Sequence, residues 1–137
     1  MGSEYKTVEG ELGAVNALTN LTTFGTETTG PIKVPNGRSK LVELWVALGI
    51  TVDTSGDQGA ITLRLTGKGI KNSPQDFIVG GAGVPTGTLT ATAQQVRPAT
   101  IYPVDIDCEP NEEITVQAAA VGDDVLIATV GVTLVFA

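Results

Sequence analysis

Asp105, Asp107 and Glu109 are spaced two residues apart in the run Asp105-Ile106-Asp107-Cys108-Glu109. On a strand this spacing sets all three carboxylates on one face, because successive side chains point to opposite sides. Three hard oxygen donors in a row suit Ca²⁺, and a carboxylate pair is the machinery of glycoside hydrolysis. The alternation also supports a plainer reading: Val104, Ile106 and Cys108 take the buried face of that strand, and the acids are its wet side. Neither the loop of a calcium site nor an aromatic sugar platform is present, since the six aromatic residues (Tyr5, Phe24, Trp45, Phe77, Tyr102, Phe136) are scattered. Asp105, Asp107 and Glu109 are therefore candidate ligands for a structural Ca²⁺, and no other cofactor is expected.

The chain has no His, which removes Ser-His and Cys-His nucleophile activation and every His-containing zinc site. Its one cysteine, Cys108, lies on the apolar register and reads as a small buried hydrophobe. Gly80-Gly81-Ala82-Gly83 precedes no helix and lacks the Lys of a phosphate loop, and Asp123-Asp124 after Gly122 is turn composition. Nothing here is expected to be an enzyme.

The elements that would carry these residues are strands. Of 137 residues, 19 are Thr, 16 Val, 17 Gly and 7 Pro, and only 17% are charged. Thr and Val suit a pleated, half-buried surface, and Gly and Pro punctuate it. Apolar residues recur with period two, most plainly from Lys40 to Asp53, where Val42, Leu44, Val46, Leu48, Ile50 and Val52 share a face opposite Leu41, Glu43, Trp45 and Ala47. The turn signal Ser55-Gly56-Asp57-Gln58-Gly59 and the alternation of Ile61, Leu63 and Leu65 then read as a hairpin with that strand. Further strands are expected near 76–79, 87–93, 100–108, 113–121 and 125–136. Eight or nine strands without amphipathic helices predict an all-β, antiparallel two-sheet sandwich, a jelly roll first among such folds. Residues 1–30 read as an N-terminal arm or extended segment, and residues 31–137 as one sandwich domain.

Charge is segregated along the chain, which carries −7 overall. Residues 33–71 hold six bases (Lys33, Arg38, Lys40, Arg64, Lys68, Lys71) against Glu43, Asp53 and Asp57, whereas residues 72–137 hold eight acids and Arg97 alone. Opposite signs on different segments allow like subunits to dock head to tail. A net acidic chain argues against a dedicated nucleic-acid binder. No stretch of 18 uncharged apolar residues exists to span a membrane as a helix, and Met1 to Val15 shows no Sec-type leader.

Two features suggest contacts with other molecules. The ribbon from Val125 to Ala137 has no charge and is apolar on both faces, so it is either central in the sandwich or at a subunit contact. Trp45 stands on the outward face of its strand beside Leu41. Trp45, Leu41, Val130, Val132, Leu134 and Phe136 are accordingly the candidate interface residues.

In strand number, spacing and texture, residues 31–137 resemble the single jelly-roll coat (capsid) proteins of icosahedral viruses, and more loosely the small β-rich proteins that decorate phage heads. The resemblance implies a structural, self-assembling shell subunit in a virion or extracellular particle, its partners being copies of itself and other virion proteins. It departs from the many coat proteins that have a basic N-terminal arm, since Met1 to Leu12 is acidic. Any genome contact would then fall to the Lys33–Lys71 region or to another protein. The alternative is a jelly-roll module that binds a carbohydrate or a protein through loops at one end, with the Ca²⁺ site as a structural element.

Overall fold

A computed structural model of the chain describes residues 3–12, 18–23, 31–53, 60–80, 95–96, 100–120 and 126–137. They form two antiparallel sheets. The first contains β1 (Glu4–Leu12), β3 (Thr22–Thr23), β5 (Lys40–Asp53), β8 (Gln95–Val96), β9 (Thr100–Asp107) and β11 (Leu126–Phe136), in the order β3-β1-β11-β5, with β8 and β9 both pairing β5. The second contains β2 (Thr19–Asn20), β4 (Ile32–Lys33), β6 (Ala60–Thr66), β7 (Gln75–Gly80) and β10 (Glu113–Ala120), in the order β2-β10-β6-β7, with β4 also on β10. The segment expected at 87–93 lies outside the described residues.

Four ladders define the topology. β1 pairs β11, β2 pairs β10, β5 pairs β9 and β6 pairs β7. The chain is thus one long antiparallel hairpin of four rungs, with its tip between β6 and β7, rolled up so that alternate rungs fall in opposite sheets. That is the jelly roll. The two inner faces meet in one core, to which β1, β5 and β11 contribute from one side and β6 and β10 from the other.

The structure corrects three expectations. β5 and β6 do not form a hairpin, since β5 belongs to the first sheet and β6 to the second. Turn composition reverses the chain without saying whether the returning strand pairs or crosses to the opposite layer. The described part of the segment before residue 31 is extended, one of the two alternatives, but it belongs with the sandwich that was expected to start at 31: β1 runs beside β11 for nine residues, and Val8 and Leu21 belong to the core. Leu41 is fully buried rather than outward. Between Val135 and Phe136 of β11, β5 inserts one extra residue, Val42, so the alternation inverts there and Leu41 joins Leu44 and Val46 on the inner face.

One end of the sandwich is fixed by backbone bonds. Cys108 N donates to Ser39 O at 2.8 Å, Lys71 N to Asp107 O at 3.0 Å and Glu109 N to Gly69 O at 3.0 Å. These hold the Asp105–Glu109 segment between β5 and the turn after β6. Gly67 makes that turn possible: its φ is +115°, a backbone conformation that residues with a side chain rarely adopt, and a Cβ there would lie 2.5 Å from the Glu113 carbonyl oxygen.

Candidate functional site

The acidic row forms as the spacing predicts, with Asp105, Asp107 and Glu109 exposed and Ile106 and Cys108 buried. Lysines meet it. The antiparallel register sets Lys40 opposite Asp107, and its Nζ donates to Asp105 Oδ1 at 2.6 Å and lies 3.2 Å from Asp107 Oδ1. Those hydrogen bonds, the one to Asp105 first, hold the Lys40 ammonium above its ordinary pKa. Glu109 does not join this pair; its Oε2 is 4.0 Å from Lys71 Nζ. Among the described residues, no three His, Cys, Asp or Glu side chains converge closely enough to hold a metal ion. Sequence reasoning missed Lys40 as the partner of the row, because only the β5–β9 register brings residues 40, 105 and 107 together.

Cys108 is a buried hydrophobe. Its thiol donates weakly to Ile106 O at 3.6 Å, and desolvation pushes its pKa up to about 11. Burial that raises a thiol's pKa lowers its thiolate fraction and with it its reactivity.

Folding undoes the charge segregation seen along the chain. Four of the six bases between 33 and 71 sit within 4.0 Å of a carboxylate: Arg38 with Glu4, Lys40 with Asp105 and Asp107, Arg64 with Asp76, and Lys71 with Glu109. The Arg64–Asp76 pair is a two-bond fork, with Nε to Oδ1 at 2.8 Å and Nη2 to Oδ2 at 3.0 Å. Arg64 holds the Asp76 carboxyl below its usual range. Acids thus face four of the six bases of the Lys33–Lys71 region.

The candidate interface residues divide sharply. Leu41, Val130, Val132, Leu134 and Phe136 are at most 2% exposed within a single protomer, so they are core and unavailable to a partner. The ribbon is uncharged because it is the middle strand, flanked by β1 and β5 and covered inside by the second sheet. Of the six, only Trp45 stands outward. Its ring meets that of Tyr5 at 5.5 Å between centroids, with planes tilted by 55°. The two residues come from strands on either side of β11, so the pair spans it, and the outward Val135 is only 2% exposed.

Trp45 pairs with Ile101 on β9, and Ile101 is 51% and Tyr5 55% exposed. Pro103, also exposed, follows two residues along β9. Tyr5, Trp45, Ile101 and Pro103, from β1, β5 and β9, therefore form a strip of apolar side chains on the outer face, bordered by Glu43, which stands opposite both Val135 and Pro103. Trp45 Nε1 is covered and has no acceptor among the described residues. Burying a donor without a partner costs about 1–3 kcal/mol, and natural structures rarely leave one so. Sequence reading flagged Trp45 but missed Tyr5 and Ile101. Ile101 precedes a strand proline, and Tyr5 lies in a segment without regular alternation.

No protein-family model matches the chain, and no curated protein matches it. Among solved structures, the crystal structure of FlhE is similar over 99% of this chain and 98% of that one, with a TM-score of 0.42 and 11% sequence identity. A likeness at that level says nothing about function. Among the described residues, no helix is long and apolar enough to cross a membrane.

Proposed function

We propose that this chain is a structural subunit that assembles with copies of itself into a coat or shell. The observation that carries the reading is the strip of Tyr5, Trp45, Ile101 and Pro103. The fold already closes a complete core between its sheets, yet it keeps large apolar side chains on an outer face. Aromatic residues on such patches anchor protein contacts. The jelly roll supports the reading only as a scaffold, since this fold serves many functions.

Light scattering coupled to size-exclusion chromatography, followed by negative-stain microscopy, tests it. Symmetric oligomers or closed particles are the expected result, and Trp45→Ala should return them to protomers. A wild-type protein that stays strictly monomeric at high concentration would overturn the proposal.

A further inference from the structure

We propose that Asn36 is a self-modification site: in the folded protein the Gly37 backbone nitrogen attacks the Asn36 side-chain amide and expels ammonia, leaving aspartyl and isoaspartyl residues at position 36. The inference does not depend on the self-assembly reading.

The site is the turn Pro35-Asn36-Gly37-Arg38 between β4 and β5. Arg38 N donates to Pro35 O at 3.2 Å, and Gly37 has a φ of +77°. A positive φ at the third of the four residues and not at the second makes this a type II turn, where glycine is the ordinary occupant. Asn36 and Gly37 are both exposed. With no Cβ on Gly37, nothing on the attacking residue hinders the approach of its nitrogen to the preceding side chain. Among the described residues that nitrogen donates no hydrogen bond, so none has to break before it attacks.

The carbonyl under attack is held from outside the turn. Asn111 Nδ2 donates to Asn36 Oδ1 at 3.2 Å. Negative charge develops on that oxygen as the nitrogen adds, and a donor already aimed at it lowers the barrier. Asn111 is itself fixed: its φ is +66°, and its N donates to Val34 O at 3.0 Å, beside the bond from Val34 N to Glu112 O at 2.9 Å. Two other asparagines show what the site adds. Asn20 Oδ1 accepts an equivalent bond from Gln117 Nε2 at 2.8 Å, but the nitrogen that follows, Leu21 N, is tied to Val116 O at 2.9 Å. Asn111 precedes Glu112, whose nitrogen donates to Glu109 O at 3.3 Å. Among the described residues, a polarised side-chain carbonyl and an untied glycine nitrogen meet at 36–37 alone.

The reaction needs water and no redox partner. The Gly37 nitrogen gives up its proton and bonds to Asn36 Cγ; the adduct collapses, the Cγ–Nδ2 bond breaks, ammonia carries off the proton, and a succinimide ring closes. Water then opens the ring. Addition at Cγ gives aspartate, and addition at the Asn36 backbone carbonyl gives isoaspartate, in which the main chain runs through the β-carbon. Either product adds one negative charge to a chain that carries −7.

Peptide mapping by mass spectrometry, on the full chain held folded in mildly alkaline buffer, tests this. Position 36 should convert from amide to acid, faster as pH rises, while Asn20 and Asn111 keep their amides. Asn111→Gly removes the donor at a position whose φ glycine tolerates. It should slow conversion in the folded chain about threefold, the worth of one exposed hydrogen bond, and leave the rate in concentrated urea unchanged. Asn111→Asp, which also tolerates that φ and replaces the donor by an acceptor, should slow it at least as much. Conversion that proceeds in urea but not in the folded chain overturns the site. Folded-state rates that match wild type in both Asn111 variants overturn the part given to Asn111.

Discussion

The outer faces of the two sheets are built from the same kind of strand and finished differently. On the second sheet the outward positions, Ile78 apart, are mostly polar and paired: Arg64 forks onto Asp76, and Gln117 Nε2 donates to Asn20 Oδ1 at 2.8 Å. On the first, Thr7 and Thr133 share a hydrogen bond at 3.0 Å, but beside them Tyr5 and Trp45 cross β11 and Ile101 stands open. Among the described residues the second face exposes one large apolar side chain, Ile78, whereas the first carries an aromatic pair and an open isoleucine together. Outward position on a strand therefore does not by itself mean a solvent role.

Substitutions can break or sharpen this contrast, with stabilities read from urea denaturation below any assembling concentration. The reference is the shared interior, where Leu134→Ala should cost about 3 kcal/mol through lost burial and a residual cavity. Trp45→Ala should cost about 2 kcal/mol, large for an outward residue, because it removes the ring that spans β11 with Tyr5. Val135→Ala should cost about 1.5 kcal/mol even though its register is outward, while Thr62→Ala on the second sheet should stay within about 0.5 kcal/mol. Equal costs at Val135 and Thr62 would erase the distinction between the faces.

The smallest effect is set by pH. Arg64 depresses the Asp76 pKa in the folded state, so the pair stabilises fully above the unfolded carboxylate pKa of about 4 and loses that contribution as pH falls through the lower folded value. Arg64→Ala should therefore lower the melting temperature slightly at neutral pH, and the gap from wild type should close in acid. A gap that persists below the folded pKa would show that Arg64 acts through packing instead.

The sequence showed the strand alphabet and most strand positions because period-two burial is local: β5 was read from Lys40 to Asp53, where it stands. β1 was not legible. Of its nine residues only Tyr5, Val8 and Leu12 are apolar, in no regular alternation, and its strand state comes from the ladder with β11 more than a hundred residues away. Leu41 was assigned to the wrong face because one extra residue in β5 has no signature in composition. The acidic row was legible as a row, but its lysine partner was not, since pairing across β5 and β9 depends on register. The interface residues on β11 were misplaced for a related reason: an uncharged ribbon signals double cover without saying whether chain or neighbour provides it.

The position of β11 also bears on how the protein is made. It follows every other described strand in chain order, yet it fills the centre of its sheet between β1 and β5. Until residues 126–136 leave the ribosome, those two strands have no common neighbour, and the nascent chain holds an unclosed layer with bare backbone on both sides of the gap. Stalling or cleavage ahead of this segment would release an intermediate primed to capture any β-rich peptide in place of its own final strand.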